Sequence, residues 1–497
     1  MMPQHSNSAS MKTLFTSLAS ALLLIGLNAQ EMNVPAGYRV ETISIPDEII
    51  LGVGGMAFEK DGSLLISTRE GQVWRHKNDS FSLVADGLHE ALGLIVEGNG
   101  DILIMQRPEL TRLIDTDKDG RADRYETVNG DWGLTDNYHE YAFGPVRDSK
   151  GNLYGTLNTS LSWKGWAGSS KWDIGRVHDG KMGRAAKYRG WCFQITLDGQ
   201  FVPFASGMRS PAGIGINKKD EIFYTDNQGD WNGSSTLQHV VKGRFHGHPS
   251  SLMDHPEFAG KDLNKIPVEE YAKLRHPPAV YFVHGDLANS PGEPTFNETG
   301  GKFGPFFEDQ IFVGDQTKSV LMRISLEKVK GNYQGAVFPF IGPMQSGLIR
   351  NTFGPDGSLW IGQTGRGWRS IGDKLFGLQR VVWDGKTTPT EIQSIKVTKK
   401  GFKLTFTRPV DRKQAADAAN YEIKNWTYLY RPEYGSPKEG IKGLKPSAVR
   451  ISKDGFSVSL DLPMETGKVY QFQVKVPDNK GRKLSNNIGW YTLNWTR

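Results

Sequence analysis

His139 is the residue best suited by type and position to move a proton. It stands in the stretch 136–158, DNYHEYAFGPVRDSKGNLYGTLN, between polar Asn137 and Glu140 and just ahead of an apolar run. An imidazole titrates at about 6.5 when unperturbed, so it can act as a general base near neutrality. Arg209, in GMRSPAG, opens a later segment in the same position. Guanidinium groups bind carboxylates bidentately, so this residue points to an acidic cofactor or substrate. Lys318 in GDQTKS, Arg350 ahead of NTFGPDG and Arg366 in QTGRGW repeat the theme of a basic residue beside a strand end. Asn158, which ends the hairpin that His139 opens, joins the cofactor-binding candidates. An imidazole base among cations suits a polyanionic cofactor and removal of a proton from a sugar hydroxyl.

A second set of side chains suits a metal. Asp115, Asp117, Asp119, Asp123 and Glu126 occupy positions one, three, five, nine and twelve of a loop with Gly120 at position six. Oxygen ligands at that spacing, with glycine at the sharp turn, match a calcium loop. The flanks LTRLI and YETV read as strands, so the spacing predicts a free-standing calcium loop and not a helix-flanked one. The run Asn227, Gln228, Gly229 and Asp230 offers further side-chain and backbone oxygens for a cation.

These residues need a scaffold that brings distant loops together. One pattern recurs along the chain: glycine, an apolar pair, a polar turn with glycine, then a β-rich run. It reads GGMAFEKDGSLLIST from Gly54, LGLIVEGNGDILIMQ from Leu92 and YAFGPVRDSKGNLYGTLN from Tyr141. It returns as AGIGINKKDEIFYTDN from Ala212, more loosely as PFFEDQIFVGDQ from Pro305, and as NTFGPDGSLWIGQT from Asn351. One hairpin cannot bury its own face, whereas several sheets around an axis leave only short edges. The chain therefore reads as all-β, with a six-bladed β-propeller over 31–384, a pair of β-sandwiches being the alternative. Past Gly385 the repeat stops. The runs KGFKLTF, AVRIS, FSVSLDL and YQFQVKV predict an immunoglobulin- or fibronectin-like β-sandwich over 385–497, serving as stabiliser or spacer.

Composition narrows the partners. The 497 residues carry a net charge of only +6 and no block of like charges, which argues against a nucleic-acid partner. The single cysteine, Cys192, excludes a disulfide framework, and the sequence has no C-x-x-C-H haem motif. Lys12 ahead of the apolar segment 14–27, with Ala29 after it, reads as a signal peptide over 1–30, hence export to the periplasm or beyond. No later run is apolar enough for a transmembrane segment.

At these motifs the chain resembles the soluble quinoprotein glucose and sorbosone dehydrogenases, and more closely their exported relatives called membrane-bound dehydrogenase domains. His139 before FGPVRDSKGNLY is similar to the family's base before its F-G-P-D-G-x-L-Y hairpin. Arg209-Ser-Pro-Ala-Gly is similar to its R-N-P-x-G, and Gln228-Gly229-Asp230 to its Q-G-P. Lys318 is placed like its quinone-binding lysine, and LANSPGEP looks like its P-S-G turn. The resemblance implies a six-bladed propeller, pyrroloquinoline quinone and calcium as cofactors, a sugar or polyol substrate, and a separate electron acceptor. The Trp-rich insertion with Trp163, Trp166 and Trp172 suits a carbohydrate-binding propeller without redox activity. A calcium-dependent lyase or hydrolase acting on polysaccharide is a further alternative.

Overall fold

The structure, a computed structural model, describes residues 32–161, 182–365 and 369–497. The expected signal peptide, the tryptophans at 163, 166 and 172, and Arg366 all lie outside the described residues. No helix among the described residues is long and apolar enough to cross a membrane.

The recurring glycine-rich units become the inner strands of six antiparallel sheets, five of them four-stranded and the fifth in order the start of an eight-stranded sheet. These strands are Val53–Phe58, Leu94–Val96, Ala142–Arg147, Pro211–Ile216, Pro291–Phe296 and Leu348–Phe353. Each touches the next, and the last touches the first, so the sheets form a ring. The ring is closed by a sheet that pairs the first strand among the described residues, Tyr38–Thr42, with Phe376–Trp383 near the end of the repeats. The repeated glycines have a steric reason. A Cβ on Gly54 would lie 2.0 Å from the Ala91 carbonyl oxygen, and one on Gly93 would lie 1.9 Å from that of Gly144. Neighbouring inner strands pack backbone against backbone, which a side chain there would prevent.

All but the second of the six inner hairpins carry a register shift at the start of the inner strand. Such bulges bend the strand and re-aim its residues. The fifth unit differs from its expected position. Its inner strand is Pro291–Phe296, and the Pro305–Phe307 turn belongs to the long connection leading to the next strand, Ile311–Asp315. Two prolines in the inner strand and that long connection hide the repeat in this unit.

The fifth sheet does not end with the ring. Its strands Val320–Val329 and Asn332–Ile341 are ten residues long, and the latter pairs with Ile488–Leu493 at the end of the chain. The sheet then continues through Lys468–Val474, Tyr421–Thr427 and Glu439–Leu444. A separate sheet of Ile392–Val397, Gly401–Phe406, Ser457–Asp461 and Ala448–Ile451 shares a buried core with it that includes Phe338, Phe402, Phe472 and Tyr491. A fully buried Arg323–Glu391 ion pair at 3.3 Å joins the fifth sheet to the first residues of this second region.

Candidate functional site

A cavity of about 480 Å³ lies where the loops entering several sheets meet. His139, Asn158, Arg209 and Gln228 all line it, so the structure brings together residues from the third and fourth repeats. Apolar Leu92, Phe143, Ala212 and Ile349 and the tyrosines Tyr138, Tyr141 and Tyr434 complete much of the wall.

The positions of His139 and Arg209 follow from the pairing pattern. Arg209 stands two residues before Pro211, which pairs with Asp226, and His139 stands two residues before Tyr141, whose carbonyl accepts from the Asn158 N–H at 3.0 Å. The loop that carries His139 is pinned from several sides. The buried Asn137 side chain accepts from the backbone N–H of His139 and of Leu161, and the buried Glu140 carboxylate accepts from Thr135 and Ser160. Arg189 donates to the Glu140 carbonyl at 2.8 Å. Asp226 does the same for the next loop: its two oxygens accept from the backbone N–H of Arg209 and Ser210 at 2.9 and 2.7 Å. Burial raises its carboxyl to about 6 against the pull of those bonds.

Thr159 links the two side chains. Its hydroxyl donates to the Arg209 carbonyl at 2.6 Å, and its own carbonyl lies 3.2 Å from His139 Nδ1. That contact assigns the proton to Nδ1, because a carbonyl only accepts. Nε2 is then the lone-pair nitrogen, 3.5 Å from Ser210 Oγ. Burial first, and the nearby Arg209 charge second, lower the imidazole pKa to about 4. At neutral pH His139 is therefore uncharged and able to accept a proton.

Arg209 is nearly buried, and its Nε donates to Asp230 at 2.8 Å. Its two Nη groups make no hydrogen bond to a described residue and stand at the cavity wall. Gly229 makes this placement possible, since a Cβ there would lie 1.9 Å from Arg209 Cζ. Gly229→Ala is expected to push the guanidinium out of register and destabilise the protein by about 1–3 kcal/mol through overpacking. Thermal denaturation together with titration of an anionic ligand checks this.

Asp115, Asp117 and Asp119 converge, with ligand oxygens within 4.8 Å of one another, and Asp115 Oδ1 is a buried acceptor with no partner among the described residues. That donor set fits a hard cation. Asp123 and Glu126 do not join it. Asp123 turns back to accept from Thr116, and Glu126 lies on the strand Arg124–Asn129, paired with Arg124 at 3.0 Å. An extended strand carries position twelve away from the loop, where a helix would curl it back. None of these residues lines the cavity.

Gly229 and Asp230 turn their oxygens to protein donors. Both Asp230 oxygens are taken, one by Arg209 and the other by His248 Nε2 at 3.0 Å and the Met182 N–H at 3.1 Å. The Gly229 carbonyl accepts from Asn232 and Gly435, and the Gln228 side-chain amide donates to the Gly233 carbonyl. Asp230 is an anchor for Arg209, a role that a carboxylate next to a buried guanidinium fills without a cation.

Lys318 and Arg350 do not line the cavity. The Lys318 backbone N–H donates to Asp315, and its charge acts on His284 at the cavity edge. Arg350 lies on the inner strand of the sixth sheet, because that strand begins at Leu348, three residues before the motif. Its guanidinium is buried in the axis, where it donates to the carbonyls of Gly54, Ala212 and Ile349 and lies 4.9 Å from the centre of the Phe143 ring. It braces inner strands from the first, fourth and sixth sheets. Burial lowers its pKa to about 10.

Arg69, Tyr138 and Tyr434, which the sequence does not single out, also line the cavity, as does Asn227. Arg69 donates to Glu90 at 3.0 Å and to the Tyr141 hydroxyl at 3.3 Å beside the cavity. A basic residue directly after the strand Leu64–Thr68 was the available signal for it. Asn158 Oδ1 and Asn227 Oδ1 are buried acceptors with no partner among the described residues, both on residues that line the cavity. They call for donors on a ligand, hydroxyl or N–H.

Residues 76–364 match the family model described as Domain of unknown function (DUF7133). The chain belongs to that family. No curated protein matches it. Among solved structures, the pyranose dehydrogenase PQQ domain from Coprinopsis cinerea, in holo form, is 11% identical, covers 71% of this chain and 97% of its own, and superposes with a TM-score of 0.50. A glucose dehydrogenase-type oxidoreductase from Thermus thermophilus is 19% identical over 70% of this chain and all of its own, at a TM-score of 0.48. The PQQ-bound aldose sugar dehydrogenase from Streptomyces coelicolor is 17% identical over 70% of this chain and 99% of its own, at 0.46. At these identities the likeness concerns the fold: the ring of sheets is of the propeller type found in sugar dehydrogenases.

Proposed function

We propose that this is an exported quinoprotein-type dehydrogenase oxidising a sugar or polyol, built as a six-bladed propeller over 31–384 and an immunoglobulin-like region over 385–497. The observation that carries the reading is the neutral His139, its Nε2 free to accept a proton, beside the Arg209 guanidinium in one cavity. The cavity residues fit a planar anionic cofactor such as pyrroloquinoline quinone. Arg209 would hold its carboxylates, the apolar wall would cover its rings, and Asn158 or Asn227 would accept from an N–H or hydroxyl. When bound, the quinone supplies the acceptor for the substrate's hydride.

The chain's own part is proton and position. His139 Nε2 takes the hydroxyl proton as the C–H bond breaks, and the Nδ1–H bond to Thr159 keeps the ring oriented while it becomes charged. Arg209, held by Asp230, keeps its position through this change. Oxidation removes two electrons and two protons from the alcohol, so a separate acceptor must take the electrons for each turnover. Calcium belongs in this proposal at Asp115, Asp117 and Asp119, as a structural ion away from the chemistry.

Titration of purified full-length protein with pyrroloquinoline quinone tests the reading. Stoichiometric binding by absorbance, followed by reduction of a dye when sugar is added, is the expected outcome, and the absence of quinone binding overturns it. The tyrosines at the mouth favour a second reading, a carbohydrate-binding propeller without redox activity. Sugar binding with no quinone binding would select it.

A further inference from the structure

The second region of the chain reaches into the cavity. After the strand Tyr421–Thr427, residues 428–437 leave their own sheet and lie against the segment that carries the Arg209 anchor. Three backbone bonds hold them there, each 2.9 Å long: Trp231 N–H to the Arg431 carbonyl, Gly435 N–H to that of Gly229, and Ser436 N–H to that of Gly233. The Tyr430 hydroxyl donates to the Gly247 carbonyl, and its ring lies 4.9 Å from the Arg275 guanidinium. The loop is fastened at both ends, and its tip presents Tyr434.

Tyr434 is 60% exposed yet lines the cavity, and the Arg209 guanidinium lies 5.4 Å from its ring centre. A large aromatic side chain held in solvent at a cavity mouth by a fastened loop is arranged for a ligand and not for packing. The cavity, about 480 Å³, is at the small end for a ligand site, so a cofactor-sized molecule takes up most of it. A substrate must then sit at the rim, which is where Tyr434 stands. The C–H face of a pyranose is apolar and stacks on an aromatic ring, leaving its hydroxyls to polar groups deeper in the site.

We propose that Tyr434 is the platform on which a pyranose ring of the substrate stacks, so that the C-terminal region completes the substrate site. This rests on the reading of the cavity as a sugar site. It makes Tyr434 a specificity residue for pyranosides, with a second ring of an oligosaccharide extending outward over the loop.

The test uses the full chain, with Tyr434→Ala and Tyr434→Phe, and glucose and cellobiose as probes. Sugar binding is measured by calorimetry with and without quinone, quinone binding by absorbance, and kcat and KM with a dye acceptor. Tyr434→Ala is expected to weaken sugar binding and raise KM about tenfold, the equivalent of about 1.4 kcal/mol, with kcat and quinone affinity unchanged. Tyr434→Phe is expected to behave as the wild type, because the ring and not the hydroxyl does the work. Unaltered sugar binding in Tyr434→Ala overturns the proposal, as does a loss of quinone affinity in place of sugar affinity. Wild-type protein that binds sugar but no quinone overturns the dehydrogenase reading alone, and the alanine variant still reads out Tyr434. Wild-type protein that binds neither probe overturns the stacking proposal as well.

Discussion

His139→Gln is expected to lower kcat by about 10²–10⁴, the usual worth of a positioned general base. Glutamine can still donate to the Thr159 carbonyl, so the loop keeps its shape, but its amide does not accept a proton at neutral pH. Quinone affinity is expected to change little, because His139 is uncharged in the folded protein. The variant tests role and geometry separately: turnover within tenfold of wild type would remove His139 as the base, and lost quinone binding would make it a cofactor contact.

The pH profile gives a second readout of the same residue. The active form of His139 is neutral, and burial and Arg209 place its pKa at about 4. The profile of kcat/KM against pH is therefore expected to be flat through neutrality and to fall about tenfold per unit below about pH 4. A limb near the ordinary imidazole value would mean that His139 is solvated. The same shift bears on stability. The unfolded imidazole, with a pKa near 6.5, binds its proton before the folded one does, so the neutral folded form contributes fully above that value. That contribution is lost as pH falls toward 4.

Asp230→Ala is expected to destabilise the protein by about 3–5 kcal/mol, because it leaves a buried guanidinium without its counter-charge. Burial by itself raises the Asp230 pKa, but Arg209 and His248 outweigh it and hold the carboxyl well below the usual range. The pair is nearly closed to solvent, so little of this attraction is screened. Denaturant unfolding measures the loss, and a change of under about 1 kcal/mol would show that the pair has relaxed into solvent. Asp230→Asn keeps volume but not charge and is expected to fall between the two. The depressed carboxyl also sets a pH window. Its contribution is present above the unfolded carboxylate value of about 3.9 and is lost as pH falls below it. Asp230→Ala is expected to weaken quinone binding too, since Arg209 would no longer be held at the wall.

Much of the fold was legible because hairpins announce themselves locally. The GGMAF, LGLIV and YAFGP units carry their turn residues and their alternation in a dozen positions, and the glycines record how close the inner strands come. The fifth unit escaped because Pro291 and Pro294 obscure the strand and a long loop separates it from its partner. Arg350 sits in the axis for a related reason: its strand begins three residues before the motif, with a register shift between Leu348 and Arg350. In the calcium motif, spacing alone cannot tell whether the residue at position twelve curls back or runs out along a strand.

His139 and Arg209 were found from the sequence because each stands two residues before the paired position that begins its hairpin, a relation that local spacing preserves. The all-β class, the repeat, and the histidine and arginine at neighbouring hairpin entrances were thus determined by the chain itself. Only the tertiary structure decided that Asp230 anchors Arg209, and that Tyr434 belongs to the cavity. Asp230 can be assigned only once its three donors are in place, one of them 48 residues away at Met182. Tyr434 reaches the site from a sheet formed by the end of the chain, and no local pattern encodes a contact made by a loop that crosses from one sheet system to another.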